Sequence, residues 1–256
     1  MSKVKTLMLR APGTNRDGDT QIAFEMAGAE VDSALVNELL RHEKRLSDYH
    51  IMVIPGGFTY GDDISAGKIM ANEIRLRLGE DIKKFVDDGR LILGICNGFQ
   101  VLVKTGILPG PPIKGTQPVT LTNNDSGKFE CRWVYLKVNK KSPCVFTRGM
   151  RGMYIPIAHG EGKLVTEPGV LENLNIVVQY VDEKGKTQAG YPCNPNGSVK
   201  DIAGICDASG RIFGLMPHPE DFIRWTQHPR WTREKPREDL YGLQVFINAV
   251  AWAKGI

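Results

Sequence analysis

The first half of the chain alternates short apolar runs with amphipathic segments, which predicts strands alternating with helices. Residues 4–9 and 50–54 are apolar runs of strand length, and residues 19–26 between them predict a short helix. From Ile69 to Val86, apolar residues recur at near four-residue spacing, which predicts one long amphipathic helix. The next apolar run begins at Leu91. This rhythm favours a mostly parallel sheet with helices on both faces.

The pattern changes at Lys128 and predicts an added β-rich segment. Residues 130–138, 154–158 and 176–181 have the composition of strands, with turns rather than helices between them. The parallel pattern resumes at Ile212.

The chain closes with residues 240–253, which predict a helix with Leu243, Ile247 and Val250 on its inward face. No repeat, low-complexity segment or linker interrupts the sequence. We therefore expect residues 1–256 to form a single domain of the α/β class.

Composition excludes several classes of protein. With 256 residues, 41% of them apolar, the chain can bury a substantial core. The net charge of +4 is spread along the chain and gives no case for nucleic acid. No apolar run approaches the ~20 residues of a membrane span, and the N-terminus lacks a signal-peptide layout. The 5 cysteines form no Cys-x-x-Cys pair, so we expect a cytoplasmic protein without a disulfide framework or a metal site.

A sharp turn is predicted where the run from Leu91 meets Gly94-Ile-Cys96-Asn-Gly98. Gly-x-Cys-x-Gly between a strand and a helix is the layout of a nucleophile elbow, which lifts one side chain clear of the sheet. Cys96 would face a helix N-terminus, whose positive end favours an anionic sulfur. For an isolated motif of this kind, a buried structural cysteine would be an equally good interpretation.

A second motif, far downstream, supplies the base that such a cysteine needs. An apolar run ends in Pro217-His218-Pro219-Glu220. Imidazole can take the thiol proton and later protonate a leaving nitrogen near neutral pH. Glu220 can orient His218, as in other nucleophile-base-acid triads. The flanking prolines restrict the backbone around the imidazole.

Two further glycine-rich stretches border the predicted sheet edge. Backbone N–H groups in residues 55–62, together with the N–H of Asn97, can hold a developing oxyanion. A phosphate-binding loop is the alternative there, although the stretch lacks Gly-Lys-Ser/Thr. His159 is a rival base, but it has no carboxylate two residues later and no flanking prolines. We expect His159 to border the substrate pocket instead.

These motifs resemble the class I (triad) glutamine amidotransferases. The strings at 55–62, 126–133, 156–162 and 214–220 narrow the resemblance to the glutaminase subunits of phosphoribosylformylglycinamidine synthases, and it runs from about residue 6 to residue 251. It implies a flavodoxin-like sheet and L-glutamine as the substrate. It also implies that ammonia passes to a synthetase subunit, which binds ATP and Mg²⁺, in de novo purine (IMP) biosynthesis. A small accessory subunit is a further implied partner, and no cofactor is implied in this chain.

The resemblance also assigns roles to individual residues. Cys96 matches the nucleophile, His218 the base and Glu220 its orienting partner. Gly57 and Asn97 match the backbone donors of the oxyanion hole.

Gln100 and Gly160 match positions that line the glutamine pocket. Two positions depart from the family pattern: Arg16, where a cysteine is frequent, and Asp221, where a basic or small residue is commoner. Both lie outside the triad, so they affect the expected partner contacts more than the chemistry.

Two other functions stay open at this point. A Cys-elbow hydrolase or chaperone-like relative would share the elbow without needing Gln100. Residues 224–237 interleave arginines with tryptophans, as surfaces that bind single-stranded nucleic acid do, although Glu234, Glu238 and Asp239 dilute the charge. A loop that docks on the synthetase subunit and an ordinary solvated loop are the other interpretations of that segment.

Overall fold

The computed structural model describes residues 3–110, 117–237 and 241–255. Within these residues the first half of the chain alternates strands and helices: β1 (Lys5–Arg10), α1 (Asp17–Met26), β2 (Glu30–Leu35), α2 (Val36–Leu40), β3 (Ile51–Ile54), α3 (Lys68–Arg77), α4 (Gly79–Asp87), β4 (Leu91–Ile95) and α5 (Asn97–Thr105). The second half is built mainly of strands: β5 (Val119–Thr122), β6 (Glu130–Val138), β7 (Gly152–His159), β8 (Lys163–Thr166), β9 (Asn175–Val181), β10 (Ile202–Cys206), β11 (Ile212–Leu215) and the helix α6 (Leu243–Ala253).

One large sheet organises the molecule, in the strand order β2-β1-β3-β4-β11-β10-β9-β6-β7. The strands from β2 to β11 pair in parallel, and those from β11 to β7 pair antiparallel. The helices pack in groups, α3 with α5 and α1 with α6. The predicted α/β class is confirmed, and the β-rich segment extends the same sheet. β5 and β8 form a separate two-stranded sheet.

The carboxyl ends of β3, β4 and β11 lie side by side in the parallel part. β3 pairs with β4, and β11 pairs with β4 in a register that sets Leu215 beside Ile95. All residues of these three strands are buried, which explains why each reads as a continuous apolar run. Ligands of open α/β sheets bind at this edge, so the loops that follow these strands form the natural place for a site.

The long helix predicted over residues 69–86 is two helices, α3 and α4. They are separated at Leu78, whose φ of −120° and ψ of 6° leave the helical region, and Gly79 follows. Glycine costs about 1 kcal/mol relative to alanine inside a helix, so a break there is cheap. Leu78 and Ile82 are nevertheless both buried. The apolar spacing therefore predicted the buried face correctly, but not the continuity of the helix.

The closing helix α6 faces the core differently from the prediction. Leu240 lies outside the described residues. Ile247, predicted to point inward, is 38% exposed, and Leu243 is only partly buried. The buried residues of the helix are Val245, Phe246, Ala249, Val250 and Ala253. Because this helix is apolar on nearly all sides, its sequence gives little periodicity from which to orient it.

No helix in the described part of the chain has the length and apolar character needed to cross a membrane.

Candidate active site

Cys96 lies in a tight turn between β4 and α5. Its backbone has a φ of 51° and a ψ of −107°, which is strained for a residue with a side chain. A Cβ built on Gly98 would lie 1.9 Å from the Ile54 carbonyl oxygen of β3, and one on Gly94 would lie 2.7 Å from the Gly98 oxygen. The two glycines therefore let the turn pass close to the sheet, which is the geometry of a nucleophile elbow.

His218 and Glu220 form a buried pair in the turn after β11. The Nδ1 atom of His218 lies 2.7 Å from Oε1 of Glu220, and the His218 backbone N–H donates to the Pro156 carbonyl. Burial disfavours a charged imidazole, but the charges of Glu220 and Cys96 outweigh it and raise the pKa of His218 well above its usual value. Within the described residues, the buried Nε2 of His218 has no hydrogen-bond partner. Since Nδ1 is held by the carboxylate, Nε2 is the atom left to exchange a proton with sulfur.

Two backbone N–H groups beside Cys96 are available to a ligand. In the described part of the chain, neither the Gly57 N–H nor the Asn97 N–H has an acceptor. Asn97 is the first residue of α5, so its N–H has no partner within the helix. Gly57 has a φ of 149°, and a Cβ there would lie 2.8 Å from the Gly13 carbonyl oxygen. Only glycine fits this position without displacing its neighbours.

A pocket of about 220 Å³ opens beside Cys96. It brings together five of the predicted site residues: Gly57, Cys96, Gln100, His159 and Gly160. His218, Glu220 and Asn97 are buried and do not line the pocket. A separate pocket of about 160 Å³, lined by Leu39, Lys84 and Arg90 among others, contains none of the predicted site residues.

Gln100 lines this pocket, but its amide is already engaged. Its Nε2 donates to the Glu161 carbonyl at 2.5 Å, and its Oε1 accepts from Nδ2 of Asn97 at 2.9 Å. The side chain thus connects the elbow helix to the turn after β7. We interpret Gln100 as a residue that shapes the pocket wall.

His159 lies in an environment opposite to that of His218. Burial, together with the positive charge of His218, lowers the pKa of His159 to about 3. Its Nδ1 lies 3.2 Å from Oδ1 of Asn124, an amide rather than a carboxylate. His159 is therefore neutral near neutral pH and too weak a base to hold a proton there.

The sequence did not single out the side chains that connect the elbow to residues 55–62, which contain the Gly57 donor and are called the oxyanion loop below. Oδ1 of Asn97 accepts from the Thr59 hydroxyl at 2.6 Å, and its Nδ2 donates to Asp62 at 3.2 Å. About two helical turns further on, the buried Lys104 donates to the Ala66 carbonyl at 2.5 Å and lies 3.8 Å from the Glu161 carboxylate. A signal existed. Residues 97, 100 and 104 are polar positions on one face of an otherwise apolar helix.

Residues 224–237 are anchored by their own aromatic side chains. The Trp225 ring stacks on His228 with centroids 4.5 Å apart, and its Nε1 donates to the Trp231 carbonyl. Arg230 pairs with Glu234 at 2.6 Å. Glu238 and Asp239 lie outside the described residues. The tryptophans therefore do not form a row of free rings of the kind on which bases stack.

Among the described residues, no group of three or more His, Cys, Asp or Glu side chains is arranged to hold a metal ion.

Comparison with known proteins shows the family to which the chain is similar along nearly its whole length. The family described as CobB/CobQ-like glutamine amidotransferase domain matches residues 3–253. A Dehalococcoides mccartyi protein named phosphoribosylformylglycinamidine synthase subunit PurQ is 59% identical over 256 residues, which is 100% of both chains. A Methanococcus maripaludis protein of the same name is 42% identical over 264 residues, with 97% of each chain covered.

Solved structures show the same relationship. The structure of PurLQS from Thermotoga maritima contains a chain with 34% identity and a TM-score of 0.74, covering 98% of this chain and 99% of that one. A glutamine amidotransferase from Thermotoga maritima, 17% identical with a TM-score of 0.54 and coverage of 98% and 97%, shares the fold. The chain therefore belongs to the CobB/CobQ-like glutamine amidotransferases and, within them, to the family of phosphoribosylformylglycinamidine synthase PurQ subunits.

Proposed function

We propose that this chain is the glutaminase subunit of a phosphoribosylformylglycinamidine synthase. It hydrolyses L-glutamine to glutamate and ammonia and supplies the ammonia to an ATP-dependent synthetase subunit in de novo purine (IMP) biosynthesis. The observation that carries the chemistry is the buried His218–Glu220 pair, 2.7 Å apart, beside the strained Cys96 at the pocket. The PurQ relatives, 42% to 59% identical, support the assignment to this synthase.

The reaction begins at the sulfur atom of Cys96. His218 takes the proton of Cys96 through Nε2, and the thiolate attacks the side-chain amide carbon of glutamine. His218 then gives that proton to the leaving nitrogen, so ammonia departs and a glutamyl thioester remains on Cys96. Glu220 holds the ring in the orientation that these transfers need and stabilises its protonated form.

The tetrahedral intermediate carries a negative oxygen that needs donors. The N–H groups of Gly57 and Asn97 supply them, each worth roughly 3 kcal/mol in comparable sites. His218 next takes a proton from water, and the resulting attack on the thioester releases glutamate and restores the thiol. Gln100, His159 and Gly160 line the pocket that positions the substrate.

Three further features belong to this proposal. Residues 1–256 act as a single domain, working in the cytoplasm. The chain's own cycle uses side chains and water, while ATP and Mg²⁺ act on the synthetase subunit. The likeness to a chain of the PurLQS structure supports an assembly with that synthetase and a small accessory subunit.

The test is glutamate formation by the chain together with its synthetase subunit. Cys96→Ala should abolish glutamate release while leaving the unfolding transition in place, because it removes only the nucleophile. Cys131→Ala, at an exposed cysteine, is the matched control and should keep full activity. Persistent glutaminase activity in the Cys96→Ala complex would overturn the assignment. Turnover of esters or peptides without glutamine dependence would instead favour a hydrolase on the same scaffold.

A further inference from the structure

Arg16 lies between the oxyanion loop and the turn that carries Glu220, and the mechanism above does not use it. It immediately precedes α1, and the Thr20 N–H and hydroxyl both bond to its carbonyl, at 3.2 and 2.7 Å. The residue is thus fixed to the first turn of a helix. Its remaining backbone group and its side chain point to two different parts of the site.

The backbone of Arg16 orients the peptide unit that carries the Gly57 donor. The Arg16 N–H donates to the Gly56 carbonyl at 3.2 Å. In a trans peptide the carbonyl of one residue and the N–H of the next point in opposite directions. This bond therefore holds the Gly57 N–H pointing away from Arg16, on the peptide's other side.

The side chain of Arg16 reaches the turn that carries the acid of the pair. Its Nη1 lies 3.3 Å from Oδ1 of Asp221 and 3.5 Å from Oδ2 of Asp19. A Cβ built on Gly56 would lie 2.9 Å from the His218 ring and 3.4 Å from Cγ of Arg16. The arginine stem and the imidazole therefore crowd the same side of Gly56.

The charges around this turn show what the guanidinium balances. Glu220 and Asp221 are adjacent, and Asp19 faces them from α1. Burial and the neighbouring Glu220 raise the pKa of Asp221 to about 6, while Arg16 and His218 oppose that rise. Without Arg16, three carboxylates would face one another beside the imidazole.

Other elements add few charges here. From β7 the turn faces His159, which is neutral near neutral pH, and from the elbow it faces Cys96. Helix α6 also packs on the turn, but its residues Leu243–Ala253 include no charged side chain. Among the residues that the structure describes, Arg16 and His218 are the cations whose charges act on Asp221.

We propose that Arg16 is a positioning residue of the glutaminase: its guanidinium, through Asp221, balances the charge around the His218–Glu220 pair. This inference rests on the proposed function.

The test is the pH dependence of kcat/KM for glutamine in the complex with the synthetase subunit. Arg16→Gln removes a positive charge, which favours the protonated form of every neighbouring group. Both limbs of the profile should therefore move to higher pH, by about 0.5 unit for a half-exposed charge. Asp221→Asn should move them to lower pH, and the double variant should lie near the wild type. Arg16→Lys should keep most of the wild-type position.

A second measurement does not need glutamine. It is the rate at which iodoacetamide alkylates Cys96 in the free chain, followed by mass spectrometry of the peptide that contains Cys96. The pH profile of this rate should shift in the same directions as the profile of kcat/KM. Arg41→Gln, which removes an equal charge from an ion pair with Glu43, is the control and should shift neither profile. Unmoved profiles in Arg16→Gln, whatever its thermal stability, would overturn the inference. A wild-type complex that makes no glutamate would refute the proposed function instead, and the alkylation profiles would still report on Arg16.

Discussion

At the scale of single residues, the surroundings of the two histidines decide their chemistry. Both are buried near Cys96, but His218 has a carboxylate at Nδ1 and His159 has an amide. A carboxylate stabilises the protonated imidazole, whereas a neutral amide does not offset the free energy lost when the charged ring is buried away from water. The sequence indicated this difference, because the Glu220 position relative to His218 was visible and His159 had no counterpart.

The difference predicts opposite effects of substitution. His218→Asn should lower kcat by about 10²–10⁴, the range that a general acid–base contributes, because nothing else can accept the Cys96 proton. His159→Asn should mainly raise KM, because it changes the pocket wall. Glutamate formation in the synthetase complex over a range of glutamine concentrations separates the two. A variant set in which activity survives the His218 change and is lost with the His159 change would show that the base is His159.

At the scale of elements, the strands leading to the site were the most predictable part of the fold. β3, β4 and β11 are buried on both faces, so each is a continuous apolar run that ends directly before loop 55–62, Cys96 or the His218 turn. β2 was not predicted. It is an edge strand in which only Ala34 is buried, so its sequence lacks an apolar run.

The strands that were missed in the second half lack an uninterrupted apolar run. β10 is short and contains a glycine against which β11 packs closely. β5 and β8 pair only with each other, at four residues each. β5 and β8 are only partly buried, so neither is a continuous apolar run, and four residues are too few for alternation to stand out. Long-range pairing, rather than local pattern, makes them strands.

At the elbow, where α5 packs against β3 and β4, the structure predicts how one substitution changes stability. A Cβ at Gly98 would lie 1.9 Å from the Ile54 carbonyl oxygen, so Gly98→Ala must push α5 away from β3. We expect it to lower the free energy of unfolding by about 3 kcal/mol or more, since overpacking of this kind displaces backbone.

The measurement is urea unfolding, with Gly79→Ala as the matched control. Gly79 begins α4, has nothing within 4 Å of an added Cβ, and should gain up to about 1 kcal/mol from the change. Equal stabilities for the two variants would contradict the close approach of α5 to β3.

At the scale of the whole molecule, the contacts that assemble the site are the part that could not be predicted. Asn97 is hydrogen-bonded to Thr59, and Gln100 to the Glu161 carbonyl, while Arg16 forms an ion pair with Asp221. Each contact joins elements that are far apart in sequence. Residue types and spacing indicate which groups have chemistry to offer. They do not indicate which loop closes on which helix, because that depends on the packing of the entire sheet.

These cross-connections make the oxyanion loop a natural target for the partner subunit. We expect the synthetase to raise kcat by about 10²–10³, the worth of one aligned donor, because docking on this loop would keep the Gly56–Gly57 peptide in the orientation that the Arg16 backbone bond favours, and glycines can otherwise turn at little cost. KM should change less, because the donor contacts the transition state more than the substrate. The loops expected to carry the signal are residues 55–62 and 191–198. Equal kcat values for the free chain and the complex would rule out this dependence.

The position of β11 also has a consequence for how the protein is made. β11 is the last strand in the described part of the chain, yet it lies in the middle of the sheet, between β4 and β10. During synthesis, the strands on both sides of β11 are therefore made before β11 itself, as two groups that each have an unpaired edge. Such an edge can pair with other chains. The sheet is complete only when β11 pairs with β4, which is far away in the sequence, and long-range contacts of this kind slow folding. The strand that completes the sheet also positions His218, so under the proposed mechanism a nascent or truncated chain has Cys96 without its base and should not hydrolyse glutamine.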